Sequence, residues 1–356
     1  MRRILHTLTI LLLLAGCVSA PNLWGNGPLT ASPSIDPLPD VSSATQTLSP
    51  SSTFTITPSS NVTLTPTVTL TPTITLTPTA APPYAAIKHV IIVSYDGMRP
   101  DAIAKAPMPN LMALEQTGAY SLTALTIKYA VTLPAHASML SGMCQAKHGV
   151  DWDVTTWYRG YSKGTDIFDL THQASMKSVM IVNKEKMRQL AQPETTDVYK
   201  LIYGTEAVIM KTAIEQIPAG FNLMFIHIGS PDYRGHKYGW MSDAQLQALR
   251  NGDAALGLLL AALDQYGIRD STLLIVTADH GGHGKTHIGT VIEDLLIPWI
   301  VSGPGVKPGQ LTTQVHIMDT AATAAYALNL PIPPEWDGTP ITEIFGLPAG
   351  KESVNC

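Results

Sequence analysis

The chain has 356 residues, 45% of them hydrophobic and 14% charged, with a net charge of −5 and a sequence pI near 6.1. Such a composition buries a sizeable core and excludes a chain disordered throughout. It also excludes a strongly basic nucleic-acid binder. Three cysteines, Cys17, Cys144 and Cys356, are too few for a disulfide framework and too far apart for a cysteine-held zinc ion.

The amino-terminal stretch MRRILHTLTILLLLAGCVSA places Arg2 and Arg3 before an apolar run from Leu8 to Ala15. That run is too short to span a bilayer and reads as a signal peptide. Leu14-Ala15-Gly16-Cys17 resembles the bacterial lipobox, which implies cleavage after residue 16, lipid on the Cys17 thiol and attachment to a membrane outside the cytoplasm. An ordinary secretory signal cut near Ala20 is the alternative. Residues 17–83 are dense in Thr, Pro and Ser, and from Thr63 the text repeats every six residues as TLTPTV, TLTPTI, TLTPTA. Proline at this period blocks helix and central strand, so the segment is expected to be an extended tether rising roughly 3 Å per residue.

A folded body is expected over 84–356. Apolar runs at 86–96, 178–183, 221–229, 272–279 and 298–303 read as buried strands. MPNLMALEQTG (108–118) has helical spacing and closes on Gly118. Residues 242–267 read as a long helix capped by Ser242 or Asp243, and 318–329 as another. Alternating strands and helices predict an α/β fold with a mostly parallel central sheet covered by helices on both faces. In such sheets chemistry gathers outside the carboxyl ends of the strands. There the sequence sets Asp96 after the first strand, Asp232 and His236 after 221–229, and Asp279-His280 after 272–278.

Asp and neutral His suit borderline divalent metals such as zinc. Asp232 and His236 are four apart and share a face if their segment is helical. His287 follows a loop expected to be loosened by Gly281, Gly282 and Gly284, and His283 is its rival as a ligand. In KYAVTLPAHASMLSGM (128–143), Pro134 suits the first turn of a helix and sets Thr132 at its amino end, where backbone N–H groups favour an anion. A metal ion on its oxygen would activate that hydroxyl. His136 and His148 read as structural hydrogen-bonding groups, Lys128 as a solvated lysine or a phosphate contact. Cys144 and Cys356 pair only if the carboxyl-terminal segment folds back, and unpaired thiols are the expectation.

Together SYDGMRPD (94–101), VTLPAHASMLSGMCQAKHGV (131–150), PDYRGHKYG (231–239) and TADHGGHGKTHIG (277–289) resemble the alkaline phosphatase superfamily, in particular its type I phosphodiesterase and nucleotide pyrophosphatase branch. The resemblance implies two zinc ions, although the donors also suit other divalent metals. Asp232, His236 and His287 would hold one; Asp96, Asp279, His280 and the Thr132 oxygen would hold the other. Thr132 would be the nucleophile in hydrolysis of a phosphate ester, a diester or pyrophosphate before a monoester. A tethered binding protein that has lost catalysis is the other reading. Sulfate esterases of the superfamily place Cys or Ser before Pro and Arg, unlike Thr-Leu-Pro-Ala-His here. One position departs: Asp153 stands where the branch often has a phosphate-binding Asn, so a carboxylate faces the expected phosphate position unless it turns elsewhere.

Overall fold

The computed structural model describes residues 82–354 and 356. The expected leader, Cys17 and nearly all of the expected tether lie outside them. Among the described residues no helix is long and apolar enough to cross a membrane.

Continuous runs of Val, Ile, Leu and Phe with no polar alternation suit strands covered on both faces. Four such runs form the middle of the sheet: β1 (His89–Tyr95), β3 (Ser178–Val182), β5 (Leu223–Ile228) and β6 (Thr272–Thr277), buried apart from His89 at the start of β1. Around them lie β2 (Ala119–Leu125), β4 (Val198–Leu201), β7 (Leu296–Ser302) and the short β8 (Gly309–Gln310), giving the order β4-β3-β5-β1-β6-β7-β2-β8. Strands β4, β3, β5, β1 and β6 are mutually parallel, whereas β7 runs antiparallel to both β6 and β2. The mostly parallel α/β sheet expected from the sequence is therefore present, with β7 as an antiparallel excursion towards one side. β2 and β4 escaped the sequence reading because each is partly exposed and interrupted by polar residues.

The expected helices are observed at Pro109–Thr117, Asp243–Gln265 and Asp319–Ala327, and Ser242 caps the second through its hydroxyl and the Gln245 N–H. Two unanticipated helices, Ile167–Gln173 and Glu206–Ile214, complete the cover. The first begins in a reciprocal capping box: Asp166 accepts from Phe168 and Asp169, and Asp169 accepts from the Asp166 N–H.

The expectation of unpaired thiols is corrected. Cys144 and Cys356 form a disulfide, because the segment after Gly338 turns back across the helix Asp319–Ala327. Thr339 Oγ1 donates to the Lys351 carbonyl at 2.7 Å, and the Ser353 hydroxyl donates to Asp319.

Register fixes what the sheet does for chemistry. Ser94 of β1 lies level with His227 of β5 and Thr277 of β6. The residues that follow these strands therefore emerge side by side at one edge.

Candidate metal and phosphate-ester site

Asp96 follows β1 directly and its N–H still pairs with the Ile228 carbonyl of β5 at 3.0 Å. Asp279 follows β6, and its Oδ1 accepts the Gly97 N–H at 3.0 Å. Asp232 lies in the first turn of the helix Ser230–Tyr238 that leaves β5. Asp96, Asp279 and His280 are fully buried, and Thr132, Asp232 and His287 nearly so. The helix Thr132–Ser141 delivers Thr132 as its first residue after the extended Val131.

Three imidazoles are oriented alike. The Nδ1–H of His236 donates to the Lys285 carbonyl, that of His280 to the Gly281 carbonyl, and that of His287 to the Ala130 carbonyl, at 3.0, 2.9 and 2.6 Å. A carbonyl only accepts, so each Nδ1 carries the proton and each Nε2 presents a lone pair. Those Nε2 atoms face carboxylates: His236 lies 3.3 Å and His287 3.8 Å from Asp232 Oδ1, and His280 lies 3.5 Å from Asp96 Oδ1. Lone pair facing lone pair at such distances is repulsive unless a cation sits between.

Four buried atoms of the ligand candidates lack any hydrogen-bond partner: Asp96 Oδ1, Asp232 Oδ1, Asp279 Oδ2 and His280 Nε2. Ligand atoms of Asp232, His236 and His287 lie within 4.8 Å of one another, as do those of Asp96, Asp232 and His280. This donor set fits divalent metal, with oxygen and imidazole ligands converging on unsatisfied space. Asp232 belongs to both clusters, whereas the sequence reading gave it to one. Asp279 reaches the site through Oδ2, 3.3 Å from His280 Nε2.

Burial lowers the pKa of His280 and brings that of His287 down to about 4, so both are neutral near pH 7, as ligation needs. Burial opposes ionisation of Asp96, but Lys184 and His227 outweigh it and hold the carboxyl well below its usual range. Asp279 is pushed the other way by burial and by the Asp96 charge.

Two residues that the sequence reading missed stand at the centre. Lys184 Nζ lies 2.6 Å from Asp96 Oδ2, 2.6 Å from Asp232 Oδ2 and 3.2 Å from Thr132 Oγ1. Burial works against its charge, but Asp96, Asp232 and Asp279 more than compensate and raise its pKa. Lys184 follows β3 at the same sheet edge, so the strand-end rule would have found it had lysines been considered with Asp and His. His227, inside β5, lies with Nε2 2.8 Å from Asp96 Oδ2 and orients that carboxylate from behind. A histidine within the apolar run FIHI was its signal.

His283 turns away: its Nδ1 is 2.7 Å from Asp294 Oδ1, and its backbone pairs with Thr286 to form the turn that presents His287. His136 donates from Nδ1 to the Thr132 carbonyl and accepts from Ser94, and His148 accepts from the Val150 N–H and donates to Ser138. Asp153 also turns. Its Oδ1 accepts the Leu133 N–H at 2.8 Å and pairs with Lys186 at 2.7 Å, so it occupies the amino end of the Thr132 helix, where the sequence left room for an anion. Lys128 is exposed; the lysine at the Thr132 hydroxyl is Lys184.

The glycine loop is packed at Gly281 and Gly282, which corrects the looseness expected there, whereas Gly284 faces open space. Gly282 lies against the Trp240 indole so closely that a Cβ would come within 2.1 Å of the ring, and Gly281 lies equally close to the Glu293 carbonyl. Trp240 also donates to the Gly97 carbonyl at 2.9 Å and covers Gly235, so one side chain braces the turns bearing Asp96 and His280 and the helix bearing His236.

The sequence model of the family described as type I phosphodiesterase / nucleotide pyrophosphatase matches residues 90–153 and 152–298. The chain belongs to this family. Among relatives, the mouse ectonucleotide pyrophosphatase/phosphodiesterase family member 7 is 24% identical over 226 residues, covering 54% of this chain and 49% of that protein. A bis(5'-adenosyl)-triphosphatase of Xenopus laevis is 22% identical over 221 residues, covering 56% and 48%. The chain thus spans about half the length of the curated relatives it matches. The structure of murine ectonucleotide pyrophosphatase/phosphodiesterase 5 superposes with a TM-score of 0.63 at 15% identity, covering 73% of this chain and 99% of that one, and shares the fold. The four sequence motifs that suggested the phosphodiesterase branch fall within or overlap the matched span.

Proposed function

We propose that this member of the phosphodiesterase family is a metal-dependent hydrolase of phosphate esters, acting on diesters or pyrophosphates, with Thr132 as nucleophile. The observation that carries the reading is that one ammonium, Lys184 Nζ, touches the Thr132 hydroxyl and both the Asp96 and Asp232 carboxylates, beside four buried ligand atoms that have no partner. Asp232, His236 and His287 would hold one zinc ion; Asp96, Asp279, His280 and the Thr132 oxygen would hold a second. Such ions lower the pKa of a bound hydroxyl and neutralise charge on a leaving oxygen.

The residues of the chain account for the rest. Thr132 Oγ1, fixed at the first turn of a fully buried helix, attacks phosphorus in line. A bond forms from Oγ1 to phosphorus, and the bond to the leaving oxygen breaks. That oxygen departs with the electron pair and takes a proton from solvent, to which the threonine proton is lost. Water then cleaves the phosphothreonine, releasing the phosphorylated product and restoring the hydroxyl. Asp153 holds the helix end through the Leu133 N–H, which keeps Oγ1 aimed at the cluster.

The leader, lipid on Cys17 and Thr/Pro-rich tether belong to the same proposal: a catalytic domain from residue 84 held outside the cytoplasm at a distance from its membrane. The test compares hydrolysis of bis-p-nitrophenyl phosphate and p-nitrophenyl phosphate with and without chelator. Faster diester turnover, lost with chelator and restored by zinc, is expected. Faster monoester turnover makes the protein a phosphomonoesterase, and turnover of neither with zinc present makes it a binding protein. Thr132→Ala is expected to abolish turnover while metal stays near two ions per chain; turnover in that variant excludes the mechanism.

A further inference from the structure

Behind the metal ligands, a cavity of about 420 Å³ with polar walls opens between three helices. Thr205 and Glu206 line it from the amino end of Glu206–Ile214, Ser230 and Arg234 from Ser230–Tyr238, and Gln247 and Asn251 from Asp243–Gln265. Thr205, Glu206 and Asn251 also line a neighbouring cavity of about 370 Å³, so the two adjoin. The helix Ser230–Tyr238 has a different use for each side. Ser230 and Arg234, four apart, share one face, and Asp232 and His236, also four apart, share another about 200° round.

Two opposite charges line this space without pairing with each other. Glu206 is 6% exposed, and its Oε1 accepts the Ser230 hydroxyl. Among the described residues no Lys, Arg or His pairs with its carboxylate, and Oε2 accepts from no side chain. A carboxylate withdrawn from water without a counter-ion is costly, and the amino end of its own helix offsets only part of that cost. Arg234 is exposed and likewise has no carboxylate partner among the described residues; its guanidinium lies 5.8 Å from the Tyr238 ring centroid.

We propose that this cavity binds a small zwitterion, with the ligand's ammonium on the Glu206 carboxylate and its acidic group on the Arg234 guanidinium. The site is separate from the metal cluster, and the inference does not rest on the phosphate-ester reading. The buried carboxylate and the Ser230 oxygen are acceptors, which suits an ammonium. The guanidinium is a planar fork of N–H donors, which suits a carboxylate or a phosphate. Thr205, Gln247 and Asn251 supply hydrogen bonds for the remaining polar atoms. An apolar ligand would leave Glu206 stranded, and a singly charged one would leave one of the two charges unmet.

The test titrates the full chain calorimetrically with glycine and with phosphoethanolamine, which share the ammonium and differ in the acidic group. Ethanolamine and acetate, with one charge each, are the controls. At least one zwitterion is expected to bind more tightly than both controls, and about 10- to 100-fold more weakly in Glu206→Gln and in Arg234→Gln, the range for loss of a hydrogen bond to a charged group. Tighter glycine marks an amino-acid site, tighter phosphoethanolamine an aminoalkyl-phosphate site. Arg234 is exposed, so Arg234→Gln is expected to melt with wild type and its weaker binding reports the contact. Absence of binding by both zwitterions overturns the proposal, as does ethanolamine or acetate binding equally well. Phosphoethanolamine binding that Glu206→Gln leaves unchanged also overturns it, because the ligand then sits at the metal cluster. A wild-type protein that binds a zwitterion here yet hydrolyses no ester refutes the catalytic reading alone.

Discussion

A metal ligand is defined as much by the group behind it as by the atom it offers. His236, His280 and His287 come from two separate stretches of chain, yet each anchors Nδ1–H on a main-chain carbonyl and turns Nε2 to the same place. His227 does this service for Asp96 from within β5. Its replacement by alanine removes the hydrogen bond that aims the carboxylate and opens a small hole in a covered strand. His227→Ala is therefore expected to weaken metal binding about 10- to 100-fold without touching the metal, measured by competition with a chromogenic chelator. The ligand candidates were legible in the sequence because Asp and His are costly at the ends of apolar strands and rarely recur there without use. Lys184 and His227 were not, because a lone lysine after a strand and a lone histidine inside one each have commonplace explanations. Only the fold shows that both touch Asp96.

At the level of elements, local capping sets the pieces that bear on the site. Asp166 starts the helix Ile167–Gln173 by binding two amide protons. Asp166→Ala is expected to cost about 1 kcal/mol of stability, read by denaturant unfolding at constant slope. Glu343 acts differently: one carboxylate takes the amides and hydroxyls of both Thr312 and Thr313. Burial works against its ionisation, but these four donors prevail and lower its pKa from the ordinary 4.5 to about 2. A depressed carboxyl adds stability above its unfolded pKa and surrenders it as pH falls towards the folded one. Between about pH 4.5 and 2 the metal-free protein is therefore expected to lose stability more steeply than Glu343→Gln, as melting temperatures across that range will show. The sequence displayed the long helix and the covered strands because they repeat one period over many residues. It hid β2 and β4, whose half-polar faces resemble loops, and the direction of β7, which depends on where a connection crosses the sheet.

For the molecule as a whole, the sheet order explains why distant motifs meet. β1 lies between β5 and β6, so residues 96, 232 and 279 leave adjacent strands although β1 stands far from both in sequence. Strand-end logic anticipated that meeting, and matching register made it close. Trp240 then locks two of the loops and one helix, and nothing in its local sequence announces the role; it emerges from glycines at 97, 235 and 282 coming together. The disulfide was also hidden, since pairing residues 212 apart depends on the path of the last segment. Replacing Cys356 with Ser is expected to lower stability by about 2–4 kcal/mol, the usual range for a long closed loop, with hydrolysis retained. Thermal melting with and without reductant checks it, and the variant should no longer respond to reductant.

That bond also carries a sense of time and place. Its two sulfurs become neighbours only after every residue from 144 to 356 has been made and the tail has been laid over the helix Asp319–Ala327. A reducing cytosol would keep them apart even then. If the chain is exported as proposed, it stays unclasped on the inner side of the membrane and is fastened on the outer side, so that the final tightening of the catalytic body waits on the crossing.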